Sequence, residues 1–163
     1  MLYYKGQYGG TMNRWQDCFK QKELWEYIDN DSRASISVMG IISEFQAFTW
    51  LREHFGKSFL VKKNGPGKPD FTIINLKTEQ SINVEFKRSK TDKFRFIKYN
   101  RSNDVQYNSS FCDYVLVDKC DNKSICADYH LVPSSTIGTD PKRPNSLKGN
   151  VDINKSVPMT KLF

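Results

Sequence analysis

Apolar residues recur along this chain at two spacings, and the shorter spacing begins just ahead of its most chemically suggestive residues. Across residues 38–55, Val38, Ile41, Phe45, Phe48, Leu51 and Phe55 lie three or four positions apart, which predicts an amphipathic helix stopped by Gly56. Glu44 falls inside that apolar arc, three residues after Ile41 and four before Phe48. From there the pattern shortens. Residues 58–62 read as a strand, and KPDFTIIN and INVEFKR read as two more, joined by the turn-like run 76–81. The second alternates, with Ile82, Val84 and Phe86 on one side and Asn83, Glu85 and Lys87 on the other. Residues 114–118 and 125–132 read as later strands around a turn at 120–123. An earlier helix is predicted over residues 12–28, with Trp15, Phe19, Trp25 and Ile28 as core candidates, broken by Asp29-Asn30-Asp31-Ser32. The expected fold class is α/β, a central mixed sheet of roughly four to five strands flanked by helices.

The chain has 163 residues, one domain's worth, with no internal repeat or linker to divide it. Residues 1–11, rich in Tyr and Gly, read as an N-terminal arm, and residues 133–163, rich in Pro, Ser, Gly and Lys, as a loop-rich C-terminal segment able to reach over DNA or a second subunit.

On the predicted hairpin, Asp70 opens one strand and Glu85-Phe86-Lys87 lies in the next. Two carboxylates and an ammonium on adjacent strands can hold a divalent cation beside a basic group that positions or deprotonates a water, which is what cutting a phosphodiester requires. The plain alternative is a hairpin with a solvated face of mixed charge. Glu44 sharpens the choice. An unpaired carboxylate turned into a core costs several kcal/mol, so either a metal ion compensates it or it sits at the rim and pairs with a lysine.

Pro69-Asp70 followed by Glu85-x-Lys87 resembles the signature of the PD-(D/E)xK nuclease superfamily. The order of helix with Glu44, strand at 58–62, Asp70 and Glu85-x-Lys87 resembles its structural plan as well. The resemblance covers residues 38–118 and implies a restriction-endonuclease-like catalytic core. It also implies roles for the residues. Asp70 and Glu85 hold one or two Mg²⁺ ions, with Mn²⁺ able to substitute and the Phe86 carbonyl completing the coordination. Glu44 holds a second metal or its water shell, Lys87 positions or deprotonates the attacking water, and the product carries a 5′-phosphate. After the motif, KRSKTDKFRF followed by YNSSFCDYVLVDK is similar to stretches of type II restriction endonucleases.

Lys87, Arg88, Lys90, Lys93, Arg95, Lys98 and Arg101 follow one another with Asp92 as the one acidic interruption, and Phe94, Phe96 and Tyr99 interleave with them. Such a run is either a solvated face or a phosphate-binding track. Because it starts on the strand that carries Glu85, we expect Arg88, Lys90, Lys93, Arg95, Lys98 and Arg101 to contact DNA. The net charge of +7 suits a polyanionic partner.

Other classes fit poorly. No apolar stretch approaches the ~20 residues of a membrane span, and the N-terminus lacks a signal-peptide core, so the expected location is the cytoplasm. Cys18, Cys112, Cys120 and Cys126 form no CxxC pair, which argues against structural zinc. His54 and His130 sit in no nuclease-like histidine motif, and Gly65-Pro66-Gly67 is a turn without the Lys-Ser/Thr of a phosphate loop. The expected function is a Mg²⁺-dependent DNA endonuclease, first a site-specific type II restriction enzyme cutting double-stranded DNA as a homodimer. The alternatives are a homing endonuclease, a Holliday-junction-resolving nuclease, or a noncatalytic DNA-binding module.

Overall fold

The computed structural model describes residues 20–99, 111–120, 127–143 and 146–163. Expectations that fall elsewhere, among them the N-terminal arm, Trp15, Phe19, Cys18, Cys126 and Arg101, lie outside the described residues. The chain divides into two compact units, Met1–Val38 and Met39–Phe163. Helix α1 (Lys22–Asp29) belongs to the first, and it ends where the Asp29-Asn30-Asp31-Ser32 break was expected. Helix α2 (Ser32–Phe55) starts on Asp31, whose Oδ1 accepts from the N–H groups of Arg33 at 2.9 Å and Ala34 at 3.1 Å. Those bonds satisfy two of the orphan donors of the first turn. Its stop is Gly56, at φ +62°, a conformation that a Cβ disfavours. No described helix is long and apolar enough to cross a membrane.

In the second unit, β1 (Phe59–Lys63), β2 (Phe71–Asn75) and β3 (Ser81–Ser89) form an antiparallel meander. Strand β5 (Tyr114–Lys119) pairs parallel with β3, and β6 (Tyr129–Pro133) pairs antiparallel with β5. The result is a mixed five-stranded sheet in the order β1-β2-β3-β5-β6. Its fold class is α/β, as expected.

Alternation sorts the side chains of this sheet between two cores. Val61, Phe71, Ile73, Val84, Phe86, Leu116 and Leu131 pack with Ala47 and Leu51 of α2. Val115, Val117 and Val132 point the other way, into a core with Phe96, Leu147 and Val151. Because β5 is buried on both faces, its sequence is a continuous apolar run and not an alternating one.

The second core corrects two expectations. That face is covered not by a helix but by a two-stranded antiparallel ribbon, β4 (Lys93–Lys98) with β7 (Leu147–Asp152). In β4, Phe96 is buried while Lys93, Arg95 and Ile97 are exposed, so the basic run is half of a strand pair. Residues 133–163 are correspondingly not a free loop. They contribute β7, then return Val157 to a backbone bond with Leu131 at 2.8 Å, bury Leu162, and set Phe163 against Phe55 and Phe59. The segment hid because Leu147, Gly149 and Val151 make a weak apolar face, with a glycine in the middle.

Helix α2 also meets the sheet by a different seam from the predicted arc. Ser43, Ala47 and Leu51 are buried, flanked by Phe48, Trp50 and Phe55, whereas Ile41 and Phe45 are 69% and 65% exposed. A helix with apolar residues on every side leaves its buried face to be chosen by fit, and small side chains allow the closer approach.

Two stability predictions follow from this packing. A Cβ at Gly149 would lie 1.8 Å from the Ile137 carbonyl oxygen, so Gly149→Ala is expected to destabilise the protein by about 3 kcal/mol, the upper end for overpacking. Ser43 Oγ is fully buried with no hydrogen-bond partner among the described residues, so Ser43→Ala should stabilise by about 1 kcal/mol. Urea unfolding midpoints check both, and shifts of opposite sign to these would contradict the packing described.

Candidate active site

β2 and β3 pair with Phe71 opposite Val84 and Thr72 opposite Asn83, and the residue just before β2, Asp70, therefore arrives beside Glu85. The Phe86 N–H donates to Asp70 Oδ2 at 2.8 Å and ties that carboxylate to the edge of β3. Asn64 fixes the preceding peptide: its side-chain amide donates to the Pro69 carbonyl and to Thr72 Oγ1, both at 2.8 Å. Two residues along β3 on the same face as Glu85, Lys87 places its Nζ 2.9 Å from Glu85 Oε1. Asp70, Glu85 and Lys87 are thus brought together as the sequence suggested.

Glu85 is 1% exposed, and its Oε1 also receives a second ammonium, that of Lys98 at the end of β4, again at 2.9 Å. Its other oxygen, Oε2, is buried with no hydrogen-bond partner among the described residues. Asp70 responds to these surroundings. Burial raises its carboxyl above the ordinary range and the neighbouring Glu85 charge raises it further, against the lowering effect of the Phe86 N–H, Lys87 and Lys63. Beneath them Cys112 is buried against Ser134 and the Glu85 backbone, and burial pushes its thiol up to about 12. It stays protonated at neutral pH and is no nucleophile.

Glu44 is placed differently from the expectation. It lies on the helix side of the sheet, where Lys63 of β1 pairs with it and also approaches Asp70 Oδ1 at 3.6 Å. Among the described residues no three His, Cys, Asp or Glu side chains form a group able to hold a metal ion. Of the two readings of Glu44, pairing with a lysine is the one observed. Lys63 was missed, although Val61 faces the helix and period two along β1 turns position 63 the same way.

The basic run is not one stripe. Arg88 turns to the face opposite Lys87, where its Nη2 lies 3.1 Å from Cys120 Sγ and its charge faces buried Asp118. Lys90, Lys93 and Arg95 are exposed, the last two on the outer side of the β4–β7 ribbon. Among the described residues of the predicted contact set, Lys98 alone reaches the carboxylates. Of the two histidines, His54 is exposed and stacks on Trp50, and His130 lies 3.1 Å from Asp128, so neither belongs to this site.

The chain matches no model of a known protein family, and no curated protein is similar to it in sequence.

The raised Asp70 carboxyl carries a sign. The native state holds its proton more tightly than the unfolded chain does, so ionised Asp70 costs stability above the ordinary carboxylate range, and that cost disappears once both states are protonated. Asp70→Asn is therefore expected to stabilise the protein at pH 7, with a gain that shrinks as the pH falls toward the ordinary carboxylate range and is lost below about 4. Urea midpoints at several pH values check this, and a variant less stable at pH 7 than the native chain would contradict it.

Proposed function

We propose that this chain is a divalent-cation-dependent DNA endonuclease, similar in plan to the PD-(D/E)xK nucleases, with Asp70, Glu85 and Lys87 as its catalytic residues. The observation that carries the reading is Glu85 itself: a carboxylate buried inside a sheet, beside a second carboxylate whose proton affinity it raises, with one oxygen that has no hydrogen-bond partner among the described residues. Burial of such a pair is unfavourable unless a function requires it. The mixed sheet is compatible with a restriction-endonuclease-like core. Its antiparallel β1-β2-β3 meander is followed by parallel β5, and Glu85 alternates with Phe86 to face away from α2.

The donor set fits a hard divalent cation, Mg²⁺ or Mn²⁺. Asp70 and Glu85 are oxygen ligands, and the Phe86 carbonyl shares the strand edge of the N–H that meets Asp70. Glu44 contributes through Lys63 and not as a direct ligand. When bound, the cation offsets charge on the nonbridging and leaving oxygens of the phosphodiester. Lys87 supplies the group that orients the attacking water or takes its proton, which its place beside Glu85 on the same face allows. Exposed Lys90, Lys93 and Arg95 draw a polyanion to the surface.

Within that superfamily we favour a site-specific type II restriction enzyme leaving 5′-phosphates. One centre per chain means that cutting both strands calls for a twofold pair. A binding-only module is the second reading, favoured by the two ammoniums already neutralising Glu85.

Incubation with supercoiled plasmid and Mg²⁺ separates these readings. Discrete bands support site-specific cutting, a smear supports a nonspecific nuclease, and intact plasmid with Mg²⁺ and with Mn²⁺ supports the binder. Asp70→Ala and Lys87→Ala are expected to lower the cleavage rate at least about a hundredfold while leaving DNA binding in Ca²⁺ within a few fold. Retained cleavage by either purified variant would remove the assignment.

A further inference from the structure

Lys98 stands apart from the basic run that carries it. Its strand, β4, belongs to a different sheet from the carboxylates, and the register with β7, Lys98 opposite Leu147, delivers the side chain to the mouth of the site. There its ammonium lies 5.4 Å from the centre of the Phe111 ring and 2.9 Å from Glu85 Oε1, an oxygen already paired with Lys87. Glu44, Asp70 and Glu85 are matched in formal charge by Lys63, which meets the first two, and by Lys87 and Lys98, which both meet Glu85. A divalent cation entering that balanced set adds two positive charges, which leaves ammonium charge in want of an anion. Lys87 is held near Glu85 by its own strand, two residues away. Both lysine side chains are 36% exposed, but Lys98 reaches Glu85 across the gap from the facing ribbon, so its turning outward breaks no contact within β3.

We propose that Lys98 is the cation that binds the scissile phosphate, held on Glu85 until metal and substrate take that carboxylate. The proposal rests on the nuclease reading and adds to it a catalytic residue outside the Asp-Glu-x-Lys set. It also gives the ribbon a purpose: the strand that presents Lys93 and Arg95 to solvent presents Lys98 to the carboxylates from its other face. A phosphate contact needs charge and hydrogen-bond donors but no proton transfer, so arginine can replace Lys98, whereas it cannot replace a lysine that must lose a proton.

The test measures binding of a duplex in Ca²⁺ at a series of salt concentrations for the native chain, Lys98→Met and Lys98→Arg, with cleavage rates in Mg²⁺ alongside. Removing one phosphate contact should lower the salt slope by about one and weaken binding about tenfold. Lys98→Met should also cut at least about tenfold more slowly. Lys98→Arg should restore both the slope and most of the rate, whereas Lys87→Arg should bind with the native slope and remain as slow to cut as Lys87→Ala. A native slope in Lys98→Met, or a Lys98→Arg protein that is folded by circular dichroism yet as impaired as Lys98→Met, overturns the proposal while leaving the nuclease reading intact. A native chain that neither binds nor cuts DNA overturns both.

Discussion

A negative charge sealed between two sheets is the constraint to which the second unit of this protein is built. Glu85 lies on β3, an inner strand with neighbours on both sides, and its side chain enters the space between the five-stranded sheet and the β4–β7 ribbon. A carboxylate there is tolerable only with cations in contact. One is supplied along the strand by Lys87, the other across the gap by Lys98. The ion pair with Lys98 therefore also links the two sheets, beside apolar packing around Phe96, Val115 and Val151.

The two faces of the central sheet divide the work. Toward α2 the side chains are mostly large and apolar, and this face holds the meander and the helix together. Its polar exception lies at the far end of β3 and β5, where Arg88, Asp118 and Cys120 meet and Asp118 also accepts from the Asp128 N–H at 3.1 Å. There each charge has its partner. On the other face, beside the second apolar core, Asp70 and Glu85 crowd one another, and Glu85 Oε2 has no hydrogen-bond partner among the described residues. Burial and charge are therefore least well compensated at Asp70 and Glu85, where ionised carboxylates cost stability.

Much of this was legible where one period governed a segment. Ile82, Val84 and Phe86 against Asn83, Glu85 and Lys87 gave both the strand and the shared face of the motif, because one neighbouring face is apolar and the other is not. Gly56 ended α2 as expected through a backbone angle local to the chain, whereas the helix starts at Ser32 on the Asp31 cap, ahead of the expected Val38. Reading failed where charge masked the period. Phe94, Phe96 and Lys98 alternate just as Ile82, Val84 and Phe86 do, but seven nearby cations invited a reading by composition. Lys63 was overlooked for the same reason.

From the chain alone come the C-terminal ends of both helices, the antiparallel hairpin that brings Asp70 to Glu85, and the common face of Glu85 and Lys87, since all depend on residues close in sequence and on the two-residue repeat of a strand. Only the folded structure decides that Lys98 crosses from a second sheet to Glu85, that Lys63 stands between Glu44 and Asp70, and that α2 turns Ser43 and Ala47 inward while Ile41 faces out. These depend on which distant surfaces fit and which buried charges need a partner. Neither quantity has a period that can be read along a sequence.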